Sequence, residues 1–570
     1  MKTALISKLA EATKLPVDVI EKNLTPTKDT KHGDFAFPCF LLAKDWGAPP
    51  PECAKRLAQS LALPSGFSKA ECMGPYLNFF LDRAEFISKT TQEVLTKGAA
   101  FGKGENTSTI VIDFSAPNIA KPFHIGHLRT TIIGYCLGNL LRHLGHNVVG
   151  VNHLGDWGTQ FGFVYAGCKL FGKPSDDMNE LVGRYVQANM IRKAQDKGEQ
   201  LDQPNVNEIA RDYFRRLEAG EAEAKEFWQW SLDVSLRYYH KTYDRMGIHF
   251  DSFAGESFYF QFFDECVATL KKSGILEDSR GALGVDLGEP LGFARLLTED
   301  GRTLYLTRDV ITADYREKTY HPEKIIYVVG APQTLHFKQL KEIMRRLNHP
   351  AADKINHIPY GHVPGISTRK LMADAGDLSL DGLLDDAHDR AREAYQSEVS
   401  KRPEGVDVED VAEAVGLGAI YFNYLCRTNN KEFHFNWDEA LNFKGDTGPY
   451  LMYAVARLHS MEERANSEGI VVATQADGSK LTEPEAWEIA SLLMKFPAVL
   501  KKTAEDLEPC NICNYALDLA KAISRAYVQL RVLGESDKEV AAARLGLYVS
   551  ARTVLSSALK ILGLKPLSRM

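Results

Sequence analysis

T-I-V-I-D-F-S-A-P-N-I-A-K-P-F-H-I-G-H, Thr109 to His127, is the stretch from which the architecture of this chain is read. Thr109–Phe114 is short, apolar and β-branched, which predicts a buried strand. Ile125 to His143 carries a long helical pattern, and Gly145 suits its C-terminal cap. Asn147–Asn152 (N-V-V-G-V-N) predicts a second buried strand, and Lys324–Gly330 (K-I-I-Y-V-V-G) a third. Buried apolar strands that alternate with helices predict a parallel, doubly wound sheet. Ligands of such sheets sit at the carboxyl ends of the strands.

The flanks predict further domains. Residues 1–105 mix helix and strand patterns: an amphipathic N-terminal helix, a helix over Glu52–Leu63 with Pro51 at its start, and an alternating strand over Gly74–Asp82. Lys97–Ser108 is a turn-rich linker. A charged helical insertion, about 170–250, separates the second strand from the third. From about Leu378 onward the pattern is almost wholly helical. The last helix places Leu545, Tyr548, Val549, Arg552, Leu555, Leu559 and Leu562 near one face, with Gly563 at its end. The expected fold is multidomain α/β. A Rossmann-type parallel-sheet catalytic domain (106–375) follows an N-terminal α+β domain (1–105) and precedes a C-terminal all-α helix bundle (376–570).

Composition bounds the function only loosely. With 570 residues, 44% hydrophobic and 25% charged, the chain has material for roughly two to four cores. A net charge of −7 excludes a protein basic all over, yet allows a basic stripe for RNA. Nine scattered cysteines argue against a disulfide framework. The pair Cys510 and Cys513 lacks the further ligands of a zinc site and reads as core, so no structural metal is expected. No stretch reads as apolar enough to span a bilayer, and the expected address is cytoplasmic.

His124-Ile125-Gly126-His127 lies where a strand gives way to a helix. Helix N-terminal N–H groups and the helix dipole attract phosphate, and Gly126 lets a flat base approach the backbone. This segment resembles the signature of class I aminoacyl-tRNA synthetases. Its flanks resemble the arginyl enzymes: Asp113-Phe114-Ser115-Ala116-Pro117-Asn118, then Lys121, then Leu128–Gly134, and N-H-L-G-D-W-G-T-Q-F-G at Asn152–Gly162. T-L-Y-L-T-R-D-V (Thr303–Val310), G-A-P-Q-T-L-H-F (Gly330–Phe337) and G-D-T-G-P-Y (Gly445–Tyr450) extend the likeness over nearly the whole chain.

The resemblance implies an arginine–tRNA ligase that uses ATP with Mg²⁺ and acts on tRNA(Arg). It implies catalytic roles for Lys121, His124 and His127. ATP contacts fall on His124, Gly126, His127, His336, His362, Val363, Ser367 and Arg369. Arginine contacts fall on Asp113, Ser115, Asn118, His127, Tyr305, Asp309 and Gln333. A guanidinium needs a planar carboxylate acceptor, which Asp309 supplies, and Asp113 is the candidate for the α-amino group. The lysine loop of class I enzymes has no good copy; Gly365–Lys370 is the nearest, and Lys121 stands in for its cation. Candidate tRNA contacts are Tyr76, Asn78, Tyr450, Tyr453 and Arg457, aromatic stacking being a common way to hold unpaired bases. A monomer without membrane attachment is expected. Two alternatives remain at this level: another class I synthetase, cysteinyl or glutamyl, and a synthetase-like protein that binds tRNA without catalysis.

Overall fold

Four parallel strands form the central sheet: β1 (Thr109–Asp113), β2 (Asn147–Val151), β3 (Lys324–Gly330) and β4 (Ile355–Tyr360), in the order β4-β3-β1-β2. The computed structural model describes residues 1–27, 30–121, 123, 125–158, 160–199, 201–279, 281–298, 303–361, 380–398 and 406–570. The chain leaves β1 toward β2 on one side and later reaches β3 on the other. The crevice between the carboxyl ends of β1 and β3 is therefore the switch point at which such sheets take ligands. Register places Asp113 opposite Tyr327 on β3 and Val151 on β2.

Helix α1 (Leu128–His143) returns from β1 to β2. Gly134 lets it approach the sheet: a Cβ there would lie 2.2 Å from Phe114 Cγ. Gly145 ends the turn after α1 with φ +92°, a conformation glycine adopts without steric cost. The insertion contains helices Met178–Asp196 and Val206–Glu218 and then α2 (Ala222–Met246). It continues into a small antiparallel sheet, Glu277–Asp278, Ala282–Asp286 and Phe293–Thr298, which the sequence pattern did not reveal. Helices α3 (Tyr305–Tyr320) and α4 (Thr334–Arg346) flank β3. Val111, Val151, Val310, Ile325, Leu340 and Ile355 belong to one buried cluster that joins these strands to α3 and α4.

Compactness divides the chain into two units: residues 102–457, 497–517 and 555–570, which hold the parallel sheet, and residues 1–101, 458–496 and 518–554. The second contains a four-stranded antiparallel sheet, ordered Thr25–Pro26, Phe35–Pro38, Tyr76–Leu81, Phe67–Met73. Leu5, Leu9, Ile20, Phe37, Leu57, Leu77 and Phe79 form its core. The expected N-terminal helix spans Lys2–Thr13, and the next expected one spans Pro50–Ser60.

The final helix, Lys538–Leu562, corrects one expectation. It is long and apolar enough to cross a membrane, although no such stretch was expected. In its most apolar stretch 72% is buried, which is how a core helix of a packed bundle reaches the same composition. Cys510 and Cys513 are both buried, at the start of helix Cys510–Gln529.

Candidate active site

The turn after β1 is the most constrained backbone of the site. Ser115, Ala116 and Ala120 have φ of 74°, 49° and 54°. Left-handed backbone at non-glycine residues costs about 1–3 kcal/mol each and persists only when its surroundings hold it. Here the holders are visible. Ser115 N donates to Thr130 Oγ1 at 3.1 Å, and Ala116 N donates to Asn152 Oδ1 at 3.1 Å. Helix α2 supplies the others: Ala120 N donates to Ser235 Oγ at 2.9 Å, and the Tyr239 hydroxyl lies 2.6 Å and 2.9 Å from the Asn118 and Lys121 carbonyls.

Ser115, expected at the arginine, belongs to the same framework: it is 2% exposed, with its hydroxyl 2.6 Å from Tyr243 Oη and 2.8 Å from Thr131 Oγ1. The hydroxyl helps to hold the turn.

Asn118 and Lys121 meet through Gln160. Lys121 Nζ donates to Gln160 Oε1 at 3.0 Å, and Gln160 Nε2 donates to Asn118 Oδ1 at 3.2 Å. Burial lowers the Lys121 pKa below that of an ordinary lysine. The Gly-Asp-Trp-Gly turn supports this chain. Gly155 N donates to Pro117 O at 3.1 Å, and Ile119 N donates to Gly155 O at 3.2 Å. Asp156 is 2% exposed and accepts Ser257 N at 2.8 Å and the Ser257 hydroxyl at 2.5 Å. Burial raises its pKa, the Ser257 bonds opposing. Asp156 is an anchor of the turn.

Gly155 gives a test of this support. A Cβ there would lie 2.3 Å from Asn118 Oδ1. Gly155→Ala is expected to turn the Asn118 amide away from Gln160, at a local cost of about 1–3 kcal/mol. Steady-state kinetics should show kcat/KM for arginine reduced roughly 10-fold, while the thermal midpoint moves by a few degrees. A full loss of folding without a kinetic defect in the folded fraction would contradict it.

Helix α3 brings the second group of residues. It begins at Tyr305, so Asp309 lies in its second turn. Tyr305 is 74% exposed, with the Arg308 guanidinium 5.4 Å from its ring centroid. Asp309 Oδ2 lies 2.5 Å from His336 Nε2. His336, expected on the ATP side, is thus a neighbour of the carboxylate expected to hold arginine. The ring of His336 and α3 constrain that carboxylate from two elements. Gln333 is exposed in the short turn Ala331–Gln333 at the end of β3.

Two groups escaped the sequence reading, Glu256 and Arg316. Glu256, in a Gly-Glu-Ser step beside Ser257, pairs with Arg308 at 2.7 Å. Burial raises its pKa and Arg308 opposes the rise. The only sequence signal was an acidic residue after a glycine in a helical insertion. Asp113, the candidate for the α-amino group, accepts Arg316 Nη2 at 2.7 Å. The acidic pair Asp113 and Asp309 is therefore partly compensated from within the protein.

Comparison with known proteins decides the family. The pattern described as tRNA synthetases class I (R), catalytic domain, matches residues 90–437. The arginyl tRNA synthetase N terminal domain matches residues 1–81, and the DALR anticodon binding domain matches 451–570. The arginine–tRNA ligase of Levilactobacillus brevis is 40% identical, over 98% of this chain and 97% of that one. This chain belongs to the class I arginyl-tRNA synthetases. The ligase of Ligilactobacillus salivarius is 38% identical over 100% and 99% of the two chains. The solved Thermus thermophilus arginyl-tRNA synthetase superposes with a TM-score of 0.77 at 25% identity, covering 100% and 99%.

In this arginyl-tRNA synthetase, Gly126 is exposed at the start of α1 and His127 is half-buried, its ring 5.5 Å from Phe123. His124, His362, Val363, Ser367 and Arg369 lie outside the described residues. The RNA candidates differ among themselves. Tyr76 is 42% exposed and meets Phe40 edge-on at 6.3 Å. Asn78 is 5% exposed, and its amide donates to His32 O at 2.7 Å, which braces the strand beneath Tyr76. On helix Gly448–Ser467, Tyr453 is exposed while Tyr450 and Arg457 are half-buried. The three share the less buried face of that helix.

Proposed function

We propose that this chain activates L-arginine with ATP and transfers the arginyl group to tRNA(Arg). The observation that carries the reading is the placement of Asp309, beside His336 and close after Tyr305, on the helix that follows the insertion and flanks β3. An arginine carboxylate oxygen attacks the α-phosphorus of ATP·Mg²⁺ in line, and pyrophosphate leaves. The terminal ribose hydroxyl of the tRNA then attacks the adenylate carbonyl, and AMP leaves. The protein positions groups and meets developing charge; it needs no covalent intermediate.

Asp309 and Tyr305 take the guanidinium, with Gln333 alongside. Asn118 and Asp113 take the α-amino end. Lys121 meets the negative charge that grows on the departing phosphates. His124, Gly126 and His127 hold ATP at the start of α1, where the helix dipole favours phosphate, and His362, Val363, Ser367 and Arg369 are further ATP contacts. Residues 1–105, 106–375 and 376–570 serve as tRNA-contacting, catalytic and anticodon-binding regions. Tyr76, Tyr450, Tyr453 and Arg457 touch the tRNA. The enzyme acts in the cytoplasm as a monomer.

Aminoacylation of total tRNA with each amino acid in turn tests this. Arginine alone should be incorporated; incorporation of another amino acid, or of none by folded protein, refutes it. The family resemblance further leads to an expectation for the first step. Arginine-dependent pyrophosphate–ATP exchange should be near background without tRNA and rise at least roughly 10-fold with tRNA(Arg), as expected when one ligand preorganises the site for another. Equal exchange in both conditions would contradict it.

A further inference from the structure

Asp113 closes β1, and Arg316 follows 203 positions later on α3. Their side chains meet at 2.7 Å, with side-chain exposures of 0% for Arg316 and 9% for Asp113. The Arg316 guanidinium also lies 5.1 Å from the ring centroid of Tyr327, the residue in register with Asp113 on β3. Nε and Nη1 of Arg316 make no close hydrogen bond, while the Tyr259 and Tyr327 hydroxyls lie near enough to the guanidinium to interact with it. Burial works against the Arg316 charge, and Asp113 outweighs it, so the guanidinium stays charged.

This is a costly arrangement for a core. A buried ion pair is often no more stabilising than apolar residues of the same volume. A guanidinium whose Nε and Nη1 have only loose tyrosine neighbours gains less than a fully hydrogen-bonded one. Its position gives the cost a purpose. Asp113 is at the carboxyl end of β1, beside the switch point, and Arg316 lies two helical turns beyond Asp309 on the same helix. One carboxylate of the pocket is thus gripped by a fixed guanidinium, whereas the other has His336 beside it. A substrate with a cation at each end meets two unlike acceptors.

We propose that Arg316 is a positioning residue. It grips Asp113 by Oδ2, so that Oδ1 is presented to the α-ammonium of arginine and the substrate's guanidinium is left to Asp309. This rests on the assignment above of Asp113 to the α-amino end. Without Arg316, Asp113 loses its fixed orientation, and a guanidinium-sized space opens beside it. The defect should therefore follow the α-amino group of the ligand.

The test compares two ligands on the full chain. They are arginine and 5-guanidinopentanoate, which is arginine without its α-amino group. Equilibrium titration of Arg316→Ala should show arginine weakened roughly 10- to 100-fold, the range of a charged hydrogen bond. The dissociation constant of 5-guanidinopentanoate should change by less than about twofold, since it lacks the affected group. Millimolar ethylguanidinium, filling the vacated space, should restore part of the arginine affinity. Arg316→Lys keeps the charge without the planar fork and should fall between. If Arg316→Ala does not fold, Arg316→Lys and Asp113→Asn carry the same contrast. Equal weakening of both ligands, or no weakening of arginine, overturns the proposal, as does failure of ethylguanidinium to rescue folded Arg316→Ala. Wild-type protein that binds neither ligand overturns the arginine reading as well, so the two failures are distinguishable.

Discussion

Asp309→Ala loses arginine charging, with kcat/KM for arginine falling from about 30-fold to a few thousand-fold. That range is the 2–5 kcal/mol typical for truncating one partner of a buried, hydrogen-bonded charge pair. The carboxylate stands on α3 with one oxygen beside His336, which fixes its plane. A planar guanidinium is recognised through two parallel bonds, and alanine offers neither. The affinity for ATP should stay within about twofold, because the loss is confined to the amino-acid end of the site. Asp309→Asn should recover little, since an amide keeps one acceptor but not the charge. Steady-state aminoacylation with arginine and ATP varied separately reads both quantities. An unchanged kcat/KM for arginine would remove Asp309 from the pocket.

Lys121→Ala should lower kcat in pyrophosphate exchange by about 10²- to 10³-fold, the usual loss for one preorganised group that meets transition-state charge. Binding of ATP should change far less, because the charge on the phosphates grows as pyrophosphate departs. The pH dependence supplies a second readout. Burial lowers the Lys121 pKa, so the ammonium is lost at a lower pH than for an exposed lysine. The protonated form does the work, so kcat is full below that pKa and falls as pH rises through it. This alkaline limb should be absent in Lys121→Ala. In Lys121→Arg, whose guanidinium does not titrate in the range, the limb should also vanish while part of the rate remains. A limb that survives in both variants belongs to another group.

Much of the scaffold was legible because it is local. Thr109–Phe114, Asn147–Asn152 and Lys324–Gly330 are apolar, β-branched runs, and the strands fall on them within a residue. Ile355–Tyr360 was not legible: its Asn356, His357 and Pro359 break the apolar pattern, as an edge strand allows. The small antiparallel sheet was missed because its strands are short and sit inside a segment dominated by helical spacing. In the site, types were legible but partners were not. Ser115 was read as an arginine contact, and its tie to Tyr243, 128 positions away, was not legible. Asp113 was read for the α-amino group, and its partner Arg316 lies 203 positions away. Nothing in the segment of His336 announces Asp309 on another helix. A side chain's occupant is set by the tertiary path, and no local spacing encodes it.

Ser235, Tyr239 and Tyr243 of α2 hold the backbone that carries Asn118 and Lys121. The peripheral-looking insertion is therefore the keystone of the turn that carries Asn118 and Lys121. A minimal fragment without α2 would keep Asn118 and Lys121 and still lose the bonds that shape the turn carrying them. Substitutions that slacken α2 would be misfiled as distant surface changes in a screen, although their kinetic signature would be that of the active site.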